Sequence, residues 1–171
     1  MTTFAEAIVD ELTVILDSEL VNPIDVTKPF YFVLGQPSDI TPVRGVKEQA
    51  TIRISVLGDD ATGDLSTEQA QKVYILEIAC LIKKPKKVAF NKERIAKLDQ
   101  DFWVIDIITQ IVTILRVNEL LNSIVLDTEK IETIICSNAD YIPELLSDAL
   151  YSSGRVTATI TTSQVKPERR A

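Results

Sequence analysis

Apolar side chains recur at helical spacing from the start of the chain. Phe4, Ile8, Leu12, Ile15, Leu16 and Leu20 share one face, with Glu6, Asp10, Glu11, Asp17 and Glu19 on the others. The pattern predicts an amphipathic helix over 3–20, capped by Thr2 or Thr3 and stopped by Asn22-Pro23. KPFYFVLG (28–35) reads as a short aromatic strand closed by Gly35, and the prolines and glycine of QPSDITPVRG (36–45) mark a loop. The period then switches to two. In QATIRISVLG (49–58), Ala50, Ile52, Ile54 and Val56 lie on one face and Thr51, Arg53 and Ser55 on the other, which predicts a strand half in water.

GDDATGDLSTEQAQ (58–71) reads as a polar connection to a second long strand over 72–84. That strand is apolar at Tyr74, Leu76, Ile78, Cys80 and Ile82, and only Glu77 interrupts the run Val73, Ile75, Ala79, Leu81 on its other face. A strand apolar on both faces is either central to a sheet covered twice, or covered once by its own domain and once by a neighbour. Next, Val104, Ile107, Ile108, Ile111, Val112, Ile114 and Leu115 form a broad stripe on a helix expected to run from an Asp99 cap to about Asn122. IVLDTEKIETIICSN (124–138) predicts a short strand, a turn and a longer strand. ADYIPELLSDALYSSG (139–154) reads as a connection with a short helix after Pro143, ended by Gly154, and RVTATITTSQ (155–164) as a last strand. The chain is expected to form a single domain over 1–165 with a flexible tail at 166–171.

Composition narrows the chemistry. Of 171 residues none is histidine, which removes the commonest general base and metal ligand. Net charge is −7, opposite in sign to that of a chain built to coat nucleic acid. Cys80 and Cys136 form no CxxC pair; buried free thiols are the preferred reading, with a disulfide possible if their strands adjoin. Glycines fall in no phosphate-binding arrangement, and no residue supports an enzyme reading; no cofactor or metal is expected. The acidic N-terminus lacks the basic region of a secretory signal, and FWVIDIITQIVTILRV (102–117) is too short for a membrane span, so cytosolic synthesis without membrane insertion is expected.

Three clusters remain as candidate sites. Residues 83–97 carry Lys83, Lys84, Lys86, Lys87, Lys92, Arg94 and Lys97 against Glu93, a local charge of +6 in a chain of −7. This segment suits phosphate binding or a localisation signal, but lysines and proline also protect strand ends, and a solvated or partner-facing patch is favoured. Asp59, Asp60, Asp64 and Glu68 suggest a calcium loop, yet Asp64 or Leu65 stands where the required glycine would be, so a polar hairpin linker is the better reading. Asp106 and Gln110 share one helical face beside Trp103, a polar seam with a core or interface anchor rather than a catalytic pair.

The element order closes with IETIICSNADYIPELLSDALYSSGRVTATITT (131–162). Over about residues 4–163 this order resembles the tail terminator (tail completion) proteins of long-tailed bacteriophages. The resemblance implies an α+β fold: a small, mostly antiparallel β-sheet packed against an N-terminal helix and a long central helix. It further implies a homohexameric ring in the virion that caps the tail tube, stops its polymerisation and joins the head through a head-completion or neck protein. DNA would pass through the lumen without specific binding, and Lys83, Lys84, Lys86, Lys87, Asp59, Asp60 and Asp64 become candidate subunit or partner contacts. Two alternatives stand beside it, a head–tail connector (neck) protein of related fold and a nucleic-acid-binding module using 83–97.

Overall fold

The computed structural model describes residues 3–23, 26–27, 29–35, 50–62, 69–83, 90–117, 125–126, 129–146 and 149–165. Its first helix, α1 (Phe4–Glu19), starts as the sequence predicts. Thr3 Oγ accepts the Glu6 amide at 3.2 Å, and the Thr3 amide donates to Glu6 Oε2 at 2.7 Å. This reciprocal cap satisfies two of the amides that every helix start leaves unpaired. The predicted face turns inward, with Ile8, Leu12 and Leu16 fully buried. Each such side chain contributes about 1.5–3 kcal/mol.

The sheet, not the helices, organises the molecule. Eight strands are described: β1 (Tyr31–Leu34), β2 (Ala50–Thr62), β3 (Gln69–Lys83), β4 (Val125–Leu126), β5 (Glu129–Cys136), β6 (Asp140–Tyr141), β7 (Glu144–Leu146) and β8 (Ala149–Val165). They join in the order β1-β2-β3-β8-β5-β4, with β6 and β7 also paired to β8. The expected fold class is therefore corrected. The sheet is large rather than small, and it is mixed: β1 runs parallel to β2, although the other described pairings are antiparallel. The long connection between β1 and β2 permits this direction, since a parallel neighbour needs a crossover of a dozen or more residues. Nor is a helix central. The second helix, α2 (Phe90–Val117), lies with α1 against one face of the larger sheet.

α2 begins nine residues before the expected Asp99 cap, so Lys92, Arg94 and Lys97 belong to its backbone. The expected short helix after Pro143 is also absent among the described residues. There the chain stays extended through β6 and β7 and returns in β8, whose pairing with β7 places Leu145 opposite Leu150. Gly154, expected to end a helix, sits instead within β8 opposite Cys80. The strand expected over 155–164 thus starts at Ala149, and β3 accompanies it from Tyr151 to Val165.

Both helices cover the face built from Ile52, Ile54, Leu76, Ile78, Val156 and Ile160. β5 joins this face through an irregularity between Ile131 and Thr133. One extra residue there, Glu132, restores the alternation so that Ile131 and Ile134 both meet the core. Of the two alternatives for the second face of β3, cover within the chain holds at Ala79 and Leu81, where no neighbouring subunit is needed, while Val73 and Ile75 stay half-buried. Ala79 and Leu81 are buried within the lone chain, packed with Tyr151 and Val33. Thr51, Arg53 and Ser55, expected to face water, are buried as well.

Candidate functional site

The buried polar face carries an ion-pair network. Arg53 in β2 lies beside Ala79 in β3, and Ala79 lies beside Arg155 in β8, so a methyl group separates two guanidinium side chains. Glu77, two residues before Ala79, occupies the same face and bridges them: Oε1 is 2.8 Å from Arg53 and Oε2 is 3.8 Å from Arg155. Glu144 in β7 takes the other side of Arg53 at 3.0 Å, and its second oxygen accepts Ser153 Oγ at 3.3 Å. Arg53 is 1% exposed, and its Nε is a buried donor with no acceptor. Two carboxylates and two guanidiniums balance in charge. The cluster ties β7, which pairs with β8, back to β2.

The sequence candidates scatter. Lys83 ends β3 opposite Tyr151, whereas Lys84, Lys86 and Lys87 lie outside the described residues. Asp59 and Asp60 belong to β2, paired with Tyr74 and Val73, so the hairpin arms extend into the expected connection; Asp64 lies outside the described residues. Among the described residues, no cluster of three or more acidic or cysteine side chains could hold a metal. No helix among them is long and apolar enough to cross a membrane.

Asp106 and Gln110 form an internal clamp. The Gln110 side chain accepts the Val21 amide at 2.9 Å, donates to the Val21 carbonyl at 3.0 Å and donates to Asp106 Oδ2 at 3.0 Å. It thereby fixes the chain leaving α1 onto α2. Gln110→Leu should cost about 1–2 kcal/mol, the net value of two hydrogen bonds. Hydrogen exchange checks this, with the Val21 amide expected to lose protection while the β3 and β8 amides keep theirs.

Cys80 and Cys136 are free. β8 separates their strands, and they oppose Gly154 and Ala158 respectively. Two strand spacings, roughly 9–10 Å, exceed what a disulfide spans. Burial pushes both thiols above their ordinary range, Cys80 far more strongly. Thiol titration of the native protein should therefore register Cys136 slowly and Cys80 only on unfolding.

Large apolar side chains are exposed at several places, among them Val14, Val26, Val117 and Ile135, and two groups border clefts. At one, exposed Tyr141 meets exposed Ile105 of α2, and Ile142 and Leu145 (68% exposed) follow Tyr141 along the chain. A cleft of about 310 Å³, lined by Val104, Ile105, Tyr141 and Pro143, lies between β6 and α2, with Ser152 Oγ donating to Asp101 at 3.0 Å beside it. At the other, Leu34 and Val56 border an open groove of about 670 Å³ against α1, whose wall includes Val9, Glu6 and Asp10. Periodicity does not reveal either cleft, because each gathers residues from elements far apart in the chain. No protein-family model and no curated protein matches this chain.

Proposed function

We propose that this chain is a structural virion protein, the tail terminator of a long-tailed bacteriophage. It caps the tail tube as a homomeric ring, stops tube polymerisation and provides the surface that joins the head. The reading rests on one observation. Exposed Ile105 and Tyr141 line one cleft, and exposed Leu34 and Val56 line a second, open groove. Exposed apolar side chains gathered at a groove are what contact with other proteins would cover. The order of elements along the chain supports the particular assembly. Its partners are further copies, the tail tube protein and a head-completion protein; DNA passes through the lumen, and the protein itself catalyses nothing.

Solution mass measurement with negative-stain imaging, followed by addition of purified tail tube protein, tests the proposal. The expected result is a six-fold ring that seats on tube ends and halts their growth. A stable monomer that binds DNA and leaves tube growth unchanged would overturn it. Rings that bind neck components and ignore the tube would make the chain a head–tail connector.

A further inference from the structure

We infer that the cleft between β6 and α2 receives the guanidinium of an arginine side chain carried by a partner protein. The site goes beyond the assembly reading above, which assigns no ligand to this cleft.

The fold fixes each wall. Tyr141 pairs with Gly154 of β8, and the missing side chain there lets the tyrosine ring close on α2: a Cβ on Gly154 would stand 3.0 Å from Tyr141 Cδ1 and 2.7 Å from Val104 Cγ1. Tyr141, Pro143, Val104 and Ile105 then line a space of about 310 Å³. Tyr141 and Ile105 are half-exposed, so the space is open to a side chain arriving from outside. Its polar part is small and oriented. Asp101 and Ser152 line the same space, and buried Ser152 donates its hydroxyl to Asp101 Oδ1 at 3.0 Å. That bond holds the carboxylate in place, and no cation among the described residues pairs with it.

An aromatic face, aliphatic walls and one oriented carboxylate suit a cation on an apolar stem. Arginine suits them better than lysine, because its planar guanidinium stacks on a ring while its N–H groups reach a carboxylate. Asp101 is the one charged residue lining the cleft. Free arginine would bring an α-carboxylate that nothing there receives, so the guanidinium belongs to a polypeptide. None of the described arginines of the chain can fill the space. Arg53 is held by Glu77 and Glu144, Arg155 lies on the opposite face of β8 from Ser152, and Arg116 is about 22 Å along α2 from Asp101.

Titration of the whole chain with N-acetyl-arginine N-methylamide, followed by amide NMR shifts, tests the site. Saturable shifts are expected at Asp101, Ile105, Tyr141 and Ser152 in the millimolar range. The citrulline counterpart, similar in shape but uncharged, should bind about tenfold more weakly, the effect of losing one charge-assisted hydrogen bond. Asp101→Asn should weaken the arginine compound to the same degree. It retains an oxygen for Ser152, and circular dichroism checks that the fold is kept. Tyr141→Leu keeps an apolar wall and should lose affinity several-fold. Absence of saturable shifts at these amides, equal binding of the citrulline compound or undiminished binding by Asp101→Asn would overturn the site. Equal binding of the lysine counterpart would overturn the choice of guanidinium, and tighter binding of free arginine would overturn the polypeptide source.

Discussion

Arg53→Ala should lower stability by about 3–5 kcal/mol, the range seen when one partner of a buried ion pair is removed. For a chain of this size that corresponds to a fall of roughly 6–20 °C in Tm. The cost comes less from lost attraction than from what remains. Among the described residues, Glu144 then keeps Ser153 as its side-chain partner, and Glu77 keeps the distant guanidinium of Arg155 at 3.8 Å. Both carboxylates are mostly buried, so their lost hydration is no longer offset. Arg53→Met fills the space but leaves the same stranded charges, and should recover only part of the loss. Replacing Arg53, Glu77 and Glu144 together by Met, Leu and Leu should recover most of it, because no unpaired charge then stays inside. Urea denaturation of the three variants measures this ordering. A triple variant no more stable than Arg53→Ala would show that packing, rather than charge, is the origin.

Gly154→Val should rank close behind. A Cβ at this position lies 2.7 Å from Val104 Cγ1, 2.8 Å from Ile108 Cγ1 and 3.0 Å from Tyr141 Cδ1. Val104 and Ile108 are packed core side chains on α2, whereas the Tyr141 ring is half-exposed beside the cleft and is the one neighbour with room to turn. Overpacking of this sort costs about 1–3 kcal/mol for added methylenes, and valine brings three carbons to a point already too close for one. Gly154→Ala should fall lower in that range, since alanine also reduces the freedom of the unfolded chain by about 0.5–1 kcal/mol. Pairing Gly154→Ala with Val104→Ala should cost less than the sum of the two changes, by 0.5 kcal/mol or more, as expected for residues in direct contact. Strict additivity would mean that α2 does not rest on Gly154.

Much of the molecule is readable from local pattern. The α1 face, its cap and the helix-facing sides of β2, β3 and β8 follow from spacings of 3.6 and 2.0, because those periods are fixed by backbone geometry. The β4–β5 pair was legible for the same reason. β6 and β7 were not. Their few residues contain Pro143 and a helix-compatible ELL, and only pairing with β8 holds them extended. The early start of α2 was missed because a lysine-rich stretch offers no apolar stripe to read.

Candidate function divided along the same line. The sequence alone determined that no histidine-based chemistry is possible, that charge is segregated along the chain, and that two long strands dominate. It also placed Arg53 on a polar strand face and marked Glu77 as the charge interrupting an apolar one, without saying that they meet. Only the tertiary structure decided that Arg53 is buried, that Gln110 clamps Val21, that the cysteines stand apart, and which apolar side chains stay exposed. The reason is physical. Strand period says which residues share a face, whereas register and neighbouring elements decide what covers that face. Those are set by contacts between segments distant in sequence, such as the 91 residues separating Arg53 from Glu144.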